Sequence, residues 1–193
     1  MALARWQEAA KALIPGVVGG GLFTFLFPRG GMVLLTREML GLPGPGAGVA
    51  LVAGPFAILC LLAAGRVARA VPSVVLAALA YAATAWLFRA VFGLALDPAG
   101  AYGTPWFLAA MAVCGLTVEL MLLLARRLEL RPRWAFLLAA PVANLVLLGF
   151  YWLVIFPYTA GRVDPTDIPL LLAVAAAGGL VSALLAWLIL KWF

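Results

Sequence analysis

Six long apolar segments limit the folds that are open to this chain. A helix needs about 20 apolar residues to cross the hydrocarbon core of a bilayer. Segments of about that length lie near residues 12–27, 48–65, 71–88, 104–125, 135–156 and 168–190. Stretches that contain proline, glycine and arginine separate them. The sequence therefore predicts an all-α integral membrane protein, in which residues 1–193 form a single domain of six transmembrane helices in one bundle.

Composition supports a lipid-embedded protein and argues against most catalytic chemistry. Charged residues make up 10% of the chain, whereas a soluble domain carries about a quarter. The absence of histidine excludes His-ligated metals and His-based acid–base catalysis. Cys60 and Cys114 both lie in apolar runs, which suggests neither a disulfide framework nor a metal site. No phosphate-binding Walker A pattern occurs. We therefore expect no enzyme activity, no cofactor and no metal.

The distribution of lysine and arginine predicts the orientation. If the N-terminus lies inside, nine of the thirteen cations fall on inner segments and four on outer ones. The nine inner cations are Arg5, Lys11, Arg66, Arg69, Arg126, Arg127, Arg131, Arg133 and Lys191. Because cytoplasmic loops carry an excess of Lys and Arg, both termini are predicted to be cytoplasmic. The formal charge of +6 is thus explained by topology, and we expect no binding to nucleic acid.

The connection between the first two spans, residues 28–47, is the longest stretch that is neither a span nor a tight turn. Its sequence, PRGGMVLLTREMLGLPGPGA, has a short apolar centre and a Gly/Pro-rich end. Connections of this length are often functional. Two interpretations stay open, namely a surface loop with one interfacial helical turn and a lid that folds over a binding pocket.

Small residues at a spacing of four mark one face of the first span, at Ala12, Gly16 and Gly20. Such stripes allow helix backbones to approach closely within lipid. The partner is either another helix of the same chain or a separate membrane subunit. The last span repeats the spacing around Gly179, and the simplest account is that the first and last spans pack on each other.

Two polar side chains lie inside predicted spans. Asn144 falls near the bilayer middle and cannot face lipid cheaply. It either bonds a neighbouring helix, for example a carbonyl freed by Pro141, or contacts a ligand. Glu119 precedes Arg126 by seven residues, so both share one helix face. An ionisable group inside the membrane points to function by default. Glu119 is either a structural hydrogen bond or ion pair, or a participant in ligand binding or subunit coupling.

Two stretches together resemble the substrate-binding S components of energy-coupling factor (ECF) transporters, most closely the thiamine or hydroxymethylpyrimidine type. The first stretch, 41–93, has a Pro-Gly-Ala sequence before the second span. The second, CGLTVELMLLLARRLELRPRWAFLLAAPVAN (114–144), has Gly-x-x-x-Glu followed by Arg-Arg. The resemblance covers about two thirds of the chain.

The resemblance implies a vitamin-capturing subunit in the cell membrane of a prokaryote. S components are six-helix proteins with both termini inside, and they pass a vitamin inward with a transmembrane T component and two ATPase subunits. Small residues on their first helix dock onto the T component, a role that would fall to Ala12, Gly16 and Gly20. The loop after the first helix closes the outward-facing pocket, a role that would fall to 28–47.

A thiamine-like ligand would require aromatic faces and an amide or hydroxyl group. The residues at a suitable depth are Tyr81, Trp86, Trp106, Asn144, Tyr151 and Trp152. The three tryptophans fit equally well as interfacial anchors. The alternative function is a non-catalytic structural or assembly subunit of a larger membrane complex, for which glycine stripes and a lack of catalytic groups are equally expected.

Overall fold

Six helices, each long and apolar enough to cross a membrane, correspond to the six predicted spans. They are α1 (Ala2–Leu26), α2 (Val49–Val67), α3 (Ser73–Val91), α4 (Pro105–Arg127), α5 (Pro132–Ile155) and α6 (Ile168–Leu190). The computed structural model describes residues 2–27, 34–43, 46–68, 72–93, 105–155 and 164–191, and no strand occurs within these ranges. The predicted all-α class with six spans is confirmed. The cytoplasmic position of both termini stays a prediction, and on its basis the ends of the bundle are called inner and outer.

Helix α2 is the centre of the bundle. It contacts each of the other five helices, and 61% of its span is buried, compared with 33–44% for the others. Ile58, Leu61 and Leu62 are completely inaccessible. Because most of the surface of α2 is covered by the other five helices, α2 is the common element against which they are positioned.

Two spans depart from α-helical geometry at the outer end of the bundle. Helix α2 begins with a π-helical turn, Val49–Ala53, and α5 ends with another, Tyr151–Ile155. In α2 the cause is local, because the N–H of Gly54 bonds to the oxygen of Val49 and the next residue, Pro55, has no N–H to donate. A third π-helical segment, Leu34–Met39, lies within the connection between α1 and α2.

Local hydrogen bonds define the residues next to two helix ends. After α4, the N–H of Leu130 bonds to the oxygen of Ala125 at 2.9 Å, and Glu129 adopts a left-handed φ of 53°. This is the pattern that ends many helices. Before α6, a carboxylate oxygen of Asp164 accepts bonds from the N–H and hydroxyl of Thr166, at 2.9 and 2.8 Å. These bonds lower the pKa of Asp164.

The small-residue stripe of α1 packs in parallel against α3. A Cβ atom at Gly16 would overlap the carbonyl oxygen of Ala77, and one at Gly20 would overlap that of Tyr81. One turn further, the hydroxyl of Thr24 donates to the oxygen of Gly20 at 3.0 Å and to an α3 carbonyl at 3.4 Å. Each step of four residues on α1 therefore matches a step of four on α3, and the two backbones are in direct contact.

This packing resolves which surface the stripe contacts. Ala12 is fully buried, as the glycines of the stripe are buried against α3, so the face predicted to dock a partner is occupied within the chain. A partner subunit would have to separate α1 from α3 to reach it. The expected pairing of α1 with α6 is also not found. The small face of α6 lies against α5 instead, where a Cβ at Gly179 would approach the Cα of Pro141 at 2.5 Å.

The α1–α3 contact makes a testable distinction between two glycines. Gly20→Ala should lower the free energy of unfolding by about 1–3 kcal/mol, because the methyl group forces two backbones apart. A methyl group at Gly149 of α5 would have no neighbouring atom within 4 Å, so Gly149→Ala should leave stability unchanged or raise it by about 0.5–1 kcal/mol. Unfolding by SDS in dodecylmaltoside micelles measures both, and equal effects of the two substitutions would contradict the close approach.

Candidate functional site

An apolar cavity lies between five of the six helices. Its volume is about 30 Å³. Its walls are formed by Phe23, Val49, Ala53, Ala57, Tyr81, Phe107, Met111, Leu147, Tyr151 and Ile155. Four of these side chains are aromatic and none is charged. The cavity is therefore suited to an apolar or heteroaromatic group rather than to an ion.

The cavity lies toward the outer end of the bundle, between the two π-helical turns. Val49 and Ala53 come from the π-turn of α2, and Tyr151 and Ile155 come from the π-turn of α5. π-helical turns are rare and are frequently found at functional sites, and here they form the outer ends of α2 and α5. Neither turn was predicted from the sequence, although Pro55 is a visible signal for the first.

Two of the six predicted substrate-binding residues, Tyr81 and Tyr151, lie on the cavity wall. Tyr81 is 1% exposed, and its ring centroid is 5.8 Å from that of Phe23. Trp86 and Trp106 are not among the wall residues, and they are 50% and 40% exposed on the surface of the bundle. Their position agrees with the alternative interpretation, in which they anchor the bundle at the membrane interface.

Trp152 lies outside the cavity and packs against the end of the α1–α2 connection. A Cβ at Gly46 would be 2.7 Å from the indole Nε1 of Trp152. Trp152 also packs against the buried cluster that contains Ala47 and Leu148. Trp152 therefore contacts the chain that leads into α2 and the cluster between α2, α5 and α6, and it is not part of the cavity wall.

Asn144 joins three helices instead of facing the cavity. It is completely buried, and its Nδ2 donates to the carbonyl oxygens of Ala50 in α2 and Ala175 in α6, at 2.8 and 2.7 Å. In the π-turn, the oxygen of Ala50 would accept a bond from the N–H of position 55, which is a proline. The hydrogen bond to a neighbouring helix is therefore what the structure shows, but the freed carbonyl is upstream of Pro55 rather than of Pro141.

The surroundings of Asn144 require residues without side chains. A Cβ at Gly54 would overlap the Oδ1 of Asn144, and a Cβ at Gly178 would lie 2.6 Å from the oxygen of Ala50. Beside this joint, the hydroxyl of Ser182 donates to the oxygen of Pro55 at 2.8 Å. The contact between α2 and α6 thus depends on two glycines, which leave room for the close approach. It also depends on the Asn144 and Ser182 side chains, which donate to the carbonyl oxygens of Ala50 and Pro55.

The role of Asn144 is tested by an isosteric change. Asn144→Asp removes the two-donor amide, and a protonated carboxyl group has one O–H for two carbonyl oxygens, so it should destabilise the bundle by about 1–3 kcal/mol, as Asn144→Ala should with the loss of both bonds. Thr117→Ala is the control, because the Thr117 hydroxyl bonds only within its own helix, to Val113 at 2.8 Å. SDS unfolding that ranks Asn144→Asp with the control would contradict this role.

Glu119 binds the beginning of α3. Its Oε2 accepts hydrogen bonds from the N–H groups of Val74 and Val75, at 2.7 and 3.3 Å, and the side chain is 6% exposed. The first N–H groups of a helix have no partner within the helix and carry a partial positive charge. A carboxylate from α4 satisfies both requirements. Of the interpretations that the sequence left open, the structure shows a structural hydrogen bond.

Arg126 binds the end of α2. Its Nη2 donates to the carbonyl oxygen of Gly65 in α2 at 3.3 Å. Glu119 and Arg126, two turns apart on one face of α4, therefore hold the end of α2 and the beginning of α3 rather than each other. Both contacts lie at the inner end of the bundle, about 10 Å or more along the helix axis from Tyr81.

The contact of Glu119 predicts a graded loss of stability. Glu119→Ala leaves two buried N–H groups without an acceptor and should lower the free energy of unfolding by about 2–4 kcal/mol. Glu119→Gln keeps one acceptor oxygen and should lose about 1 kcal/mol. The matched control is Glu129→Ala in the exposed α4–α5 turn, with an expected change below about 0.5 kcal/mol. A loss on Glu119→Ala no larger than that of the control would refute the capping role.

Arg89, which with Arg29, Arg37 and Arg162 makes up the four outer cations of the predicted topology, is buried. It is 4% exposed, and its guanidinium carbon lies 6.0 Å from the ring centroid of Phe23, which forms part of the cavity wall. Among the residues whose burial is described, it is the one buried lysine or arginine. Its burial depends on how α1 packs on α3, so no sequence pattern marks it.

The predicted lid, 28–47, is described only in part. Residues 28–33 and 44–45 lie outside the described residues. In the remainder, Thr36 is buried, and its backbone carbonyl oxygen accepts a hydrogen bond from the N–H of Leu42 at 2.9 Å. None of the described residues of this connection belongs to the cavity wall. The lid role stays a prediction.

Comparison with known proteins adds no relative. No protein-family model, curated protein or solved structure matches the chain.

Proposed function

We propose that this chain is the substrate-binding subunit of an ECF-type importer in the cell membrane of a prokaryote. It captures a thiamine-like or hydroxymethylpyrimidine-like vitamin at the outer face and passes it inward together with a T component and two ATPase subunits. The observation that carries the proposal is the aromatic cavity between the two π-helical turns at the outer end. The resemblance of 41–93 and 114–144 to S components supports it independently.

The chemistry of the cavity suits a heteroaromatic ring. The rings of Phe23, Tyr81, Phe107 and Tyr151 surround the space, and aromatic groups pack favourably on one another in stacked or edge-on arrangements. A pyrimidine ring would gain this contact and leave water. Asn144, the predicted amide partner, is committed to α2 and α6, so the recognition assigned to this cavity is contact with aromatic rings.

The cavity must open before it accepts a vitamin. Its volume of about 30 Å³ has room for one or two water molecules, whereas pockets for small ligands enclose about 300–1,000 Å³. We assign the opening to the π-turn of α5. This turn, Tyr151–Ile155, is the outer end of the helix, and its first and last residues are both part of the cavity wall. The docking surface for the T component must then be a face of the bundle other than the α1 stripe, which α3 covers.

Isothermal titration calorimetry on the purified chain tests the proposal. Thiamine or hydroxymethylpyrimidine should bind at sub-micromolar concentration, and Tyr151→Leu should weaken binding about tenfold, or about 1.4 kcal/mol, because it removes one aromatic face. The matched control is Trp86→Leu, which removes an exposed ring of the same helix bundle and should change the affinity less than twofold.

The outcomes separate the two functions that the sequence left open. Binding that both substitutions weaken equally would assign the ligand to a site other than this cavity. Absence of binding to any vitamin, with a folded protein that copurifies with a membrane complex lacking ATPases, would favour a structural or assembly subunit and overturn the proposal.

A further inference from the structure

The inner end of the bundle carries a cationic groove that the proposed function does not use, and of its cations Arg126 has been assigned a contact within the fold. Two cavities of about 300 and 320 Å³ share Arg66, Pro132 and Phe136 in their walls and are therefore adjacent. We call their combined surface the basic groove. Its cations are Arg66, Arg126, Arg131, Arg133 and Lys191.

The charge of the basic groove is of one sign. No Asp or Glu belongs to the described walls of either cavity. Glu129 lies in the adjoining turn, but it is exposed and outside both walls. Five cations from four helix ends thus face a shared space whose described walls hold no carboxylate. Guanidinium groups in such an arrangement are matched to the oxygens of a phosphate group.

The groove continues into an apolar furrow between α5 and α6. A third cavity, of about 200 Å³, shares Arg133 and Trp187 with the groove and extends along Leu137, Ala183 and Leu184. Leu137 is one turn deeper than Arg133, and Ala183 is one turn deeper than Trp187, about 6 Å along each helix. The surface is therefore cationic at the inner end and apolar toward the bilayer centre.

Aromatic rings mark the boundary between these two parts. The guanidinium of Arg133 lies 5.2 Å from the ring centroid of Trp134, and the ammonium of Lys191 lies 5.7 Å from that of Trp187. Tryptophan prefers the depth of the lipid headgroups. The cations of the groove are thus at the level where phosphate groups of the inner leaflet occur.

We propose that the basic groove binds an anionic phospholipid, with its phosphate among the cations and one acyl chain in the α5–α6 furrow. Charge alone would suit a free phosphate or an acidic protein segment, but neither would occupy the furrow that runs on into the membrane. Basic pockets between transmembrane helices on the cytoplasmic side are typical sites for anionic headgroups. The proposal stands independently of vitamin transport.

Native mass spectrometry of the full chain in neutral detergent tests the proposal with defined lipids. The first bound dioleoylphosphatidylglycerol should be held at least tenfold more tightly than dioleoylphosphatidylcholine, which has the same chains and no net charge. The double variant Arg66→Gln/Arg131→Gln should lower the ratio of the two lipid affinities about tenfold. Lys11→Gln combined with Arg127→Gln is the control, because it removes two inner cations outside the groove and should change the preference less than twofold.

Thermal unfolding distinguishes binding of the whole lipid from binding of its headgroup alone. Phosphatidylglycerol should raise the Tm of the unmodified chain and of the control variant, but not of the Arg66/Arg131 variant. Inorganic phosphate and glycerophosphoglycerol at the same concentration should leave every Tm unchanged, because they have no chain to place in the furrow.

Three results would overturn the proposal. Equal retention of the two lipids by the unmodified chain would show that the groove does not select charge, whatever the variants do. Equal losses in the two double variants would show a diffuse surface charge instead of a site. Stabilisation by inorganic phosphate equal to that by phosphatidylglycerol would show an anion site without a lipid.

Discussion

Backbone polar groups inside a bilayer must find partners within the protein, and this requirement governs how the bundle is built. At three places where the backbone of a span lacks a helical partner, a side chain from a neighbouring helix supplies one. Asn144 bonds the Ala50 carbonyl that Pro55 leaves open, and Glu119 accepts from the first N–H groups of α3. Arg126 bonds a carbonyl near the end of α2. These bonds are the points that determine how the helices are placed.

The same requirement explains why the polar residues inside the spans are structural and the cavity is aromatic. A polar side chain that satisfies a neighbouring helix has few remaining groups for a ligand. The outer cavity is instead formed by rings and small apolar residues around two π-helical turns. Tyr81 and Tyr151 suit this position because a tyrosine presents an apolar face together with one hydroxyl group. Stability and the proposed recognition are thus assigned to different residues of the same spans.

The two ends of the bundle differ in chemistry. The outer end holds the aromatic cavity, and the inner end holds the basic groove with five cations. Arg126 belongs to both the helix-end contact and the groove, so the residues that hold α2 in place also adjoin the proposed lipid site. A bound anionic lipid would therefore contact the residues that hold the inner end of the central helix.

The number, type and approximate bounds of the spans follow from the sequence alone, because length and apolar content are local properties. Glu119, Asn144 and the α1 stripe can also be recognised there as positions that need partners. The partners themselves are a property of the tertiary structure. The stripe meets α3 and not α6, and Asn144 serves Pro55 and not Pro141. The burial of Arg89, for which no expectation follows from the sequence, is likewise seen only in the tertiary structure. Each of these outcomes depends on which helices are neighbours. In lipid the apolar faces of many helices are interchangeable, so the pairing is decided by close backbone contacts and interhelical hydrogen bonds that no single segment encodes.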